Sequence, residues 1–410
     1  MEKVPGGMML MTTYTTTRWA IIADDLTGAA DAAAAYGPTH TSSVMLDIRS
    51  TWPEAEILSI NTESRYLAAE EAAAAVTSAV GRALEQDRLV FKKIDSLLRG
   101  NVGTEVAAAL AMVGQGRGRG LAVVAPAFPA TGRTTVGGVT HVGGMQNTAG
   151  RFGGDVAEAL AAGGLSVEVV PGEPGRTPED LAVHLRDVQE RAIDAVVLDA
   201  SSDRDLEAIA AAAALLDFPA LLVGSGGLAA HITAREEGTA RNAQPRHVSR
   251  TLTVIGSYSS LARQQTEALV AAGAEHIKLD HNALEGPAVA RHVAEAMSLN
   301  DVVLTPDPMG IVDKSQALVV AEALARATAA GIRHCDALVM TGGETATAVL
   351  KALGAGSFTV LGEIEPGVVM SLLPGHLPLL VTKAGAFGDA GTLARTIQFL
   401  TGTTTEMSIK

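Results

Sequence analysis

Apolar and polar positions alternate along this chain in blocks that predict an α/β fold. Short apolar runs, such as Trp19–Ala23, Leu121–Ala125 and 252–255, each come before a polar or glycine-containing turn. Longer segments follow in which apolar residues are spaced three and four apart, as at 68–84 and 178–192. The short runs predict buried strands, and the longer segments predict amphipathic helices that cover the faces of a parallel sheet.

The strand–helix pattern is interrupted once and then begins again. Residues 239–250 are polar and contain a proline, which is typical of a linker between domains. We therefore expect two α/β domains with mainly parallel sheets, one over 19–238 and one over 251–402. Residues 1–18 are expected to be a disordered N-terminal extension, and 403–410 a tail.

Two adjacent carboxylates, Asp24 and Asp25, directly follow the first predicted strand, Trp19–Ala23. In open α/β sheets, ligands bind beyond the carboxyl ends of the strands. Because two like charges repel each other, this pair requires a cation, a metal ion or a shared proton. A structural role stays open beside the functional one, since Asp25 or Thr27 would also cap the alanine-rich helix that follows.

Basic residues follow two further predicted strands. Arg65 comes shortly after a strand at 56–60, and the strand at 89–94 leads into a segment with two lysines and an arginine. These side chains suit an anionic ligand, because lysine supplies a point charge and arginine a planar fork for carboxylate or phosphate. Strand alternation puts Lys92 and Lys93 on opposite faces, so at most one of them reaches a site there. A solvated basic edge is the alternative.

Glycine turns between a strand and a helix occur three times in the second half, at Gly256-Ser257, at 341–345 and at Gly385. Such turns expose backbone N–H groups at the positive end of a helix and so favour phosphate. The P-loop pattern is absent. Residues 224–229 match the dinucleotide pattern G-x-G-x-x-A, but 240–247 supply neither a second strand nor an acid. We therefore favour a glycine turn that faces a ligand or the other domain.

Composition and charge narrow the classes of function. Hydrophobic residues make up 47% of the 410 residues, whereas aromatic residues make up 3%, which argues against base-stacking surfaces. The net charge of −14 excludes general binding to nucleic acid or to a membrane surface, but not to a small anion. The single cysteine, Cys335, excludes an intrachain disulfide, and no apolar run is long enough to span a membrane. A cytoplasmic protein is expected.

Seven segments, in order, resemble the four-carbon acid sugar kinase family, and the resemblance extends from about residue 20 to residue 401. They are Ala-Asp-Asp-Leu-Thr-Gly at 23–28, Asn-Thr-Glu-Ser-Arg at 61–65, Lys-Lys-Ile-Asp-Ser at 92–96 with Leu-Arg-Gly-Asn at 98–101, Pro-Ala-Phe-Pro at 126–129 with Gly-Arg-Thr at 132–134, Gly-Ser-Gly-Gly-Leu-Ala at 224–229, Thr-Gly-Gly-Glu-Thr at 341–345, and Lys-Ala-Gly-Ala-Phe-Gly at 383–388.

The resemblance implies an N-terminal domain that binds the sugar acid and a C-terminal domain that binds ATP, with the active site in the cleft between them. Members of this family use ATP, here expected with Mg²⁺, to phosphorylate the terminal hydroxyl of threonate, erythronate or 3-oxo-tetronate. The partners expected are therefore a small anionic sugar acid and ATP, and a homodimer stays open. Closure about the linker at 239–250 would bring the two ligands together.

The resemblance and the chemistry of the residues together give expected roles for individual residues. The expected base is Asp25 or Asp24, and Arg65 or Arg99 would bind the substrate carboxylate. The full substrate-binding set is Asp24, Arg65, Lys93, Ile94, Asp95, Ser96 and Arg99. The nucleotide-binding set is Ser257, Thr341, Gly342, Gly343, Glu344, Thr345, Gly385 and Gly388. No metal ligand is assigned.

Two positions depart from the family pattern. Leu97 stands where threonine is usual, and Ala384 where serine is usual. The lost hydroxyl at Leu97 predicts a different preferred acid. Two other classes of function stay open at this stage, namely an NAD-linked sugar-acid dehydrogenase that would use 224–229 and a non-catalytic sugar-acid-binding protein.

Overall fold

A computed structural model describes most of the chain. The residues described are 18–173, 175–232, 248–279, 287–307, 317–375, 377–385 and 387–402. The predicted N-terminal extension as far as residue 17, most of the linker at 239–247 and the tail at 403–410 lie outside the described residues. In the described part, no helix is both long and apolar enough to cross a bilayer.

The first half forms a parallel sheet in which the strands pair in the order β2-β3-β1-β4-β11-β5-β10-β9. These strands are β1 (Trp19–Ala23), β2 (Ser42–Met45), β3 (Ile57–Asn61), β4 (Leu89–Lys93), β5 (Leu121–Ala125), β9 (Val167–Val170), β10 (Ala195–Leu198) and β11 (Ala220–Gly224). The helices are α1 (Leu26–Ala34), α2 (Ala69–Glu85), α3 (Val102–Gly114), α4 (Val156–Ala161), α5 (Pro178–Glu190), α6 (Asp203–Ala214) and α7 (Gly226–Ala229).

The second half repeats this design with strand order β13-β14-β12-β15-β18, all parallel, followed by antiparallel β17 and β16. Its strands are β12 (Thr251–Ile255), β13 (Glu275–Leu279), β14 (Val302–Pro306), β15 (Ala337–Thr341), β16 (Ser357–Glu365), β17 (Val368–Leu372) and β18 (Leu379–Lys383). Its helices are α8 (Ser260–Ala271), α9 (Pro287–Met297), α10 (Ala317–Gly331), α11 (Gly343–Ala352) and α12 (Thr392–Leu400).

The two halves share one sheet and one apolar core. β16 pairs antiparallel with β2, so that Phe358 lies opposite Val44 and the whole forms a 15-stranded sheet. One buried cluster contains Leu26 and Val44 from the first half together with Val349 and Phe358 from the second. Closure about the linker would have to strain this pairing. The continuous sheet therefore argues against the hinge that we expected.

Both halves have a topological switch point at the carboxyl ends of their strands. In the first half, α1 packs on one face of the sheet while α2 and α3 pack on the other. In the second half, α8 and α12 pack on one face, and α9, α10 and α11 pack on the other. Helices that leave adjacent strands in opposite directions open a crevice, which is where ligands bind in such sheets.

The largest difference from prediction lies at 126–154. Residues 126–138 are rich in proline and then in glycine, which predicts a long ordered loop, and residues 143–154 are expected to be an exposed, mobile insertion. This segment instead contains a three-stranded antiparallel sheet of β6 (Arg133–Val136), β7 (Val139–Val142) and β8 (Met145–Gln146). Its strands are too short for a clear alternation, and the glycines that dominate the segment take positive φ angles in the turns, as at Gly137 and Gly143.

Candidate functional site

The two switch points open into one cavity of about 330 Å³ between the halves. The first half lines it with residues that follow β1, β3 and β4, and the second half with residues that follow β12, β15 and β18. The cavity therefore collects the carboxyl ends of strands from both halves. This is the interdomain cleft that the sequence predicts.

Arg65 is the cation that the paired carboxylates require. Its Nε and one terminal nitrogen donate to the two Asp24 oxygens at 2.7 and 2.9 Å, and the other terminal nitrogen donates to Asp25 Oδ2 at 2.7 Å. The Arg65 side chain is only 7% exposed. Burial alone would lower the pKa of Arg65, but the charges of Asp24 and Asp25 outweigh burial and raise the pKa.

Asp25 caps α1 and also lies where the two halves meet. Its Oδ1 accepts from the Gly28 backbone N–H at 2.9 Å, and its Oδ2 accepts from the Thr27 hydroxyl at 2.8 Å. A Cβ built on Gly343, in the second half, would lie 3.3 Å from Asp25 Oδ2. The capping role and a place in the cavity are therefore compatible.

Asp95 and Arg99 form a second ion pair in the cavity. Arg99 donates through Nε and a terminal nitrogen to Asp95 at 2.9 and 2.7 Å, and the backbone N–H groups of Leu97 and Arg99 also donate to it. Burial alone would raise the pKa of Asp95, but Arg99 and Arg65 outweigh it and hold the pKa well below its usual range. The charges of Arg65 and Arg99 are thus both balanced by carboxylates of the protein.

Lys92 and Lys93 point to opposite faces of β4, as strand alternation predicts. Lys92 is fully buried and forms an ion pair with Glu105 at 2.8 Å. Lys93 lines the cavity, and its Nζ donates to the Ile94 carbonyl at 3.2 Å. Of the two lysines, only Lys93 is in position to meet a ligand.

Glycine turns from three strands of the second half come together on the opposite wall. Gly342 has a φ of 89° and precedes α11, whose first turn is Gly343, Glu344 and Thr345. A Cβ on Gly256 would collide with the Thr345 hydroxyl, and one on Gly385 would lie 4.0 Å from the Gly342 Cα. A side chain at position 256 would therefore prevent this approach, and the positive φ of Gly342 favours glycine there, whereas Gly385 lies at ordinary contact distance.

Lys383 holds the third of these turns in place. Its ammonium donates to the carbonyls of Ala384 and Phe387 at 2.9 and 2.8 Å, and the residue is 1% exposed. Burial lowers the pKa of Lys383 to about 8. The loop after β18 therefore depends on a buried ammonium group that gives up its proton more readily than a lysine in water.

Most of the predicted site residues line this cavity, together with Ala384. The predicted residues that do so are Asp25, Arg65, Lys93, Asp95, Ser96, Arg99, Ser257, Thr341, Gly342, Gly343, Glu344, Thr345 and Gly385. Asp24 lines a neighbouring cavity of about 640 Å³ instead. Ile94, Leu97 and Gly388 line neither cavity, although the carbonyl of Ile94 accepts from Lys93.

The cavity is also lined by residues that were not assigned a role from the sequence, among them Asp31, Phe128, Arg133 and Phe387. Asp31 lies four residues after Thr27 on α1, so helical spacing alone could have placed both on one face. Arg133 belongs to the Gly-Arg-Thr segment at 132–134, which is part of the family resemblance. Its proximity to Ser96 depends on β6 folding back over the cavity, which no local pattern predicts.

The G-x-G-x-x-A segment is a close contact inside the protein. It forms the end of β11 and the short helix α7, and Gly226 and Gly227 are buried. A Cβ on Gly226 would collide with Asp31 Oδ2, and one on Gly227 with the Ala127 carbonyl. The glycines allow α7 to pack against α1 and the segment after β5, all within the first half. Ser225 and Gly226 also line the cavity, whereas in the described part of the chain the contacts of these glycines are not with the other domain.

The described residues include no group of three or more His, Cys, Asp or Glu side chains placed to hold a metal ion. The carboxylates that lie at the glycine turns and line the cavity are Asp25 and Glu344. Such a site suits Mg²⁺ that arrives with phosphate oxygens, since Mg²⁺ commonly takes one or two protein carboxylates and completes its shell with phosphates and water.

Comparison with known proteins divides the chain at the same place. Residues 19–232 match the family model of a sugar-binding N-terminal domain, and residues 252–393 match that of a nucleotide-binding C-terminal domain. These bounds separate the charged wall of the cavity from the wall that carries the glycine turns.

Similar proteins of described activity align over almost the whole chain. A D-threonate kinase of Cupriavidus necator is 35% identical and covers 93% of this chain and 98% of its own length. A D-erythronate kinase of Heliobacterium modesticaldum is 29% identical, with 93% and 96% covered. A 3-oxo-tetronate kinase of Burkholderia multivorans is also 29% identical, with 93% and 97% covered.

A solved structure shows the same fold. A crystal structure from Salmonella typhimurium LT2 has a TM-score of 0.76 at 24% identity and covers 93% of this chain and 98% of its own. At this level of identity the likeness concerns the fold alone.

Proposed function

This chain belongs to the four-carbon acid sugar kinase family, and from that premise we propose that it transfers the γ-phosphoryl group of ATP to the terminal hydroxyl of a four-carbon sugar acid. Threonate, erythronate and 3-oxo-tetronate are the acids that its relatives are named for. The observation that carries the proposal is the single cavity in which the charged wall of the first half faces the three glycine turns of the second.

The nucleotide end of the proposed site is the second half. The backbone N–H groups of Gly343, Glu344 and Thr345 have no partner within the helix, because they form its first turn. Together with the turns at Ser257 and Gly385 they would bind the phosphates of ATP. Glu344, the carboxylate in the first turn of α11 that lines the cavity, would help to hold Mg²⁺, which would neutralise the charge that develops on the transferred group.

Asp25 is the proposed partner of the acceptor hydroxyl. It lines the cavity beside Gly343, whereas both oxygens of Asp24 accept from Arg65 and its side chain is 4% exposed. Arg65 fixes the orientation of Asp25, and the Gly28 N–H fixes its other oxygen. Asp25 would therefore align the hydroxyl with the phosphoryl group and accept its proton.

Phosphoryl transfer requires little from the protein beyond the alignment of the two reactants and the neutralisation of charge. Phosphoryl transfer has a loose transition state, so its rate depends on holding the two reactants in line and on neutralising charge. The continuous sheet fixes both walls of the cavity relative to each other. We propose that this rigidity provides much of the alignment.

The test is ADP release with Mg-ATP across D- and L-threonate, D- and L-erythronate, their 3-oxo forms and C5–C6 aldonates. We expect acid-dependent ADP release with at least one four-carbon acid and little with the longer ones. Release of ADP that is independent of every acid, or no release at all, would contradict the proposal.

A further inference from the structure

One part of the cavity contains charged groups that form no ion pair with any of the described residues. We call it the inner pocket and define it by Asp31, Lys93, Ser96, Phe128, Arg133 and Gly226, all of which line the cavity. The inner pocket lies in the first half, on the same wall of the cavity as the arginine–carboxylate groups of Arg65 and Arg99.

Arg133 enters the inner pocket without a carboxylate partner among the described residues. One terminal nitrogen donates to the Ser96 hydroxyl at 2.5 Å, while its Nε is buried and has no hydrogen-bond partner. Its guanidinium lies 4.5 Å from the centre of the Phe387 ring, which holds it in place. Burial lowers the pKa of Arg133. A buried donor without a partner is costly, so the geometry favours an acceptor supplied by a ligand.

Lys93 supplies a second positive charge. Its Nζ has one protein acceptor in the described structure, the Ile94 carbonyl, and no carboxylate lies within 4.0 Å of it. Lys93 is 5% exposed. An ammonium group can donate three hydrogen bonds, so Lys93 can still donate to a ligand.

Asp31 supplies the only carboxylate of the inner pocket. It is 8% exposed, and its Oδ1 is buried without a hydrogen-bond partner. Asp31 Oδ2 lies close to Gly226, and a Cβ at position 226 would collide with this oxygen. Burial raises the pKa of Asp31, although Lys93 and Arg133 oppose that rise. A buried carboxylate oxygen with a free lone pair is suited to accept a hydrogen bond from a hydroxyl group.

We propose that the inner pocket binds the carboxylate end of the sugar acid, with Arg133 and Lys93 on the carboxylate and Asp31 accepting from an inner hydroxyl. This rests on the proposed function and adds the direction in which the substrate lies. The two cations and one carboxylate of the inner pocket leave a single positive charge for one substrate carboxylate to balance.

In this orientation the substrate carboxylate does not bind Arg65 or Arg99, which were its expected partners from the sequence. Arg65 donates to Asp24 and Asp25, and Arg99 donates to Asp95 through two nitrogens. A substrate carboxylate there would meet protein carboxylates at close range, and like charges repel. With its carboxylate at Arg133, the acid would direct its terminal hydroxyl towards Asp25 and the glycine turns.

The first experiment pairs a protein change with a substrate change. The wild type and Arg133→Gln are compared on D-threonate and its neutral amide, and on D-erythronate and its amide. In the wild type we expect kcat/KM to favour the acid. In Arg133→Gln, kcat/KM for the acid should fall by about 100-fold, because a hydrogen bond to a charged group is lost. For the amide, kcat/KM should fall by only a few-fold. Arg133→Lys should recover part of the preference.

Arg99→Gln tests the competing assignment, and Arg117→Gln, at an exposed position outside the cavity, is the matched control. Both should keep the wild-type preference for the acid. If kcat/KM falls by the same factor for the acid and the amide in Arg133→Gln, the preference for the acid is intact and Arg133 has a structural role only. Loss of the preference in Arg99→Gln instead would overturn the proposal.

The second experiment addresses Asp31 in the same way. Asp31→Asn is compared with the wild type on threonate and on its 2-deoxy and 3-deoxy analogues, with Asp217→Asn as an exposed control. In the wild type we expect kcat/KM for one deoxy analogue to be lower than that for threonate by at least about 10-fold. In Asp31→Asn the same analogue and threonate should have almost equal kcat/KM. If both deoxy analogues lose equally in the two proteins, Asp31 does not bind an inner hydroxyl.

A binding measurement separates this inference from the proposed function. Calorimetry of D-threonate and D-erythronate binding, without ATP, should show weaker binding in Arg133→Gln and unchanged ATP binding in the same variant. If the wild type shows no acid-dependent turnover but Arg133→Gln still weakens binding, the proposed function fails and the inner pocket stands. If the wild type shows acid-dependent turnover and Arg133→Gln keeps the preference for the acid, the proposed function stands and the inner-pocket assignment fails.

Discussion

At the residue scale, the site depends on which charges balance each other inside the protein. Arg65 links Asp24 to Asp25, and Arg99 links to Asp95. The sequence predicted that these groups lie together and that the two aspartates require a cation. It could not predict that Arg65 is the cation that binds both aspartates, because these partners lie 41 and 40 residues away along the chain.

Asp25→Asn tests the role of this carboxylate. We expect kcat to fall by about 10²- to 10⁴-fold, because the amide cannot accept the proton of the acceptor hydroxyl, while the affinity for ATP changes little. Turnover and the Kd of ATP are measured separately. Near-normal turnover would remove Asp25 from this role and direct attention to Asp24.

Lys383 predicts a dependence of stability on pH. Its pKa is about 8 in the folded protein and 10.5 for an ordinary lysine, so between these values the unfolded chain binds more protons. The free energy of unfolding should therefore gain up to about 3 kcal/mol from this group as the pH rises from 8 to 10.5. The free energy of unfolding is measured by urea at each pH for the wild type and for Lys383→Met. The difference between their slopes against pH is the contribution of Lys383. Equal slopes would contradict the prediction.

At the element scale, the periodicity of the sequence predicted most of the strands and long helices. Strand alternation also placed Lys92 and Lys93 correctly on opposite faces of β4. The prediction was wrong at β6–β8, where short strands separated by glycines show no clear period. That small sheet carries Arg133, so the inner pocket was missed for the same reason. A short element gives little periodic signal in the sequence, even when it carries a functional residue.

The buried pair of Lys92 and Glu105 anchors β4 to α3. Glu105→Gln should destabilise the protein by about 3 kcal/mol or more, because it leaves the fully buried Lys92 ammonium without a counter-charge. The double change of Lys92 and Glu105 to methionine should cost much less. The free energy of unfolding is compared for the three proteins, with Asp47→Asn in the exposed pair with Arg49 as the control, which should change little. A double variant as unstable as Glu105→Gln would contradict this account.

At the scale of the whole molecule, the sequence predicted two domains but not the way they join. The strand β16 pairs with β2, and α1 belongs to a core shared by both halves. Pairing between distant strands has no local signature, so the linker suggested a hinge. The structure instead holds the two ligand-binding walls on one sheet, which suits a reaction that depends on alignment.

A shared core predicts that the two halves unfold together. Both tryptophans, Trp19 and Trp52, lie in the first half and are buried, so their fluorescence reports on that half, whereas far-ultraviolet circular dichroism reports on both. In urea the two signals should give the same midpoint in one transition. Midpoints that differ would mean that the halves are independent units and that β2–β16 pairing contributes little.

The central claim is that one cavity brings a sugar acid and ATP together for transfer to the terminal hydroxyl, and phosphorus NMR of the reaction mixture tests it most directly. With Mg-ATP and the acid identified by ADP release, the account predicts a new phosphomonoester signal split into a triplet by the two protons of a terminal CH₂. A doublet would place the phosphate on an inner hydroxyl and contradict the proposed orientation. Inorganic phosphate as the sole product, in step with ADP, would contradict the transfer itself.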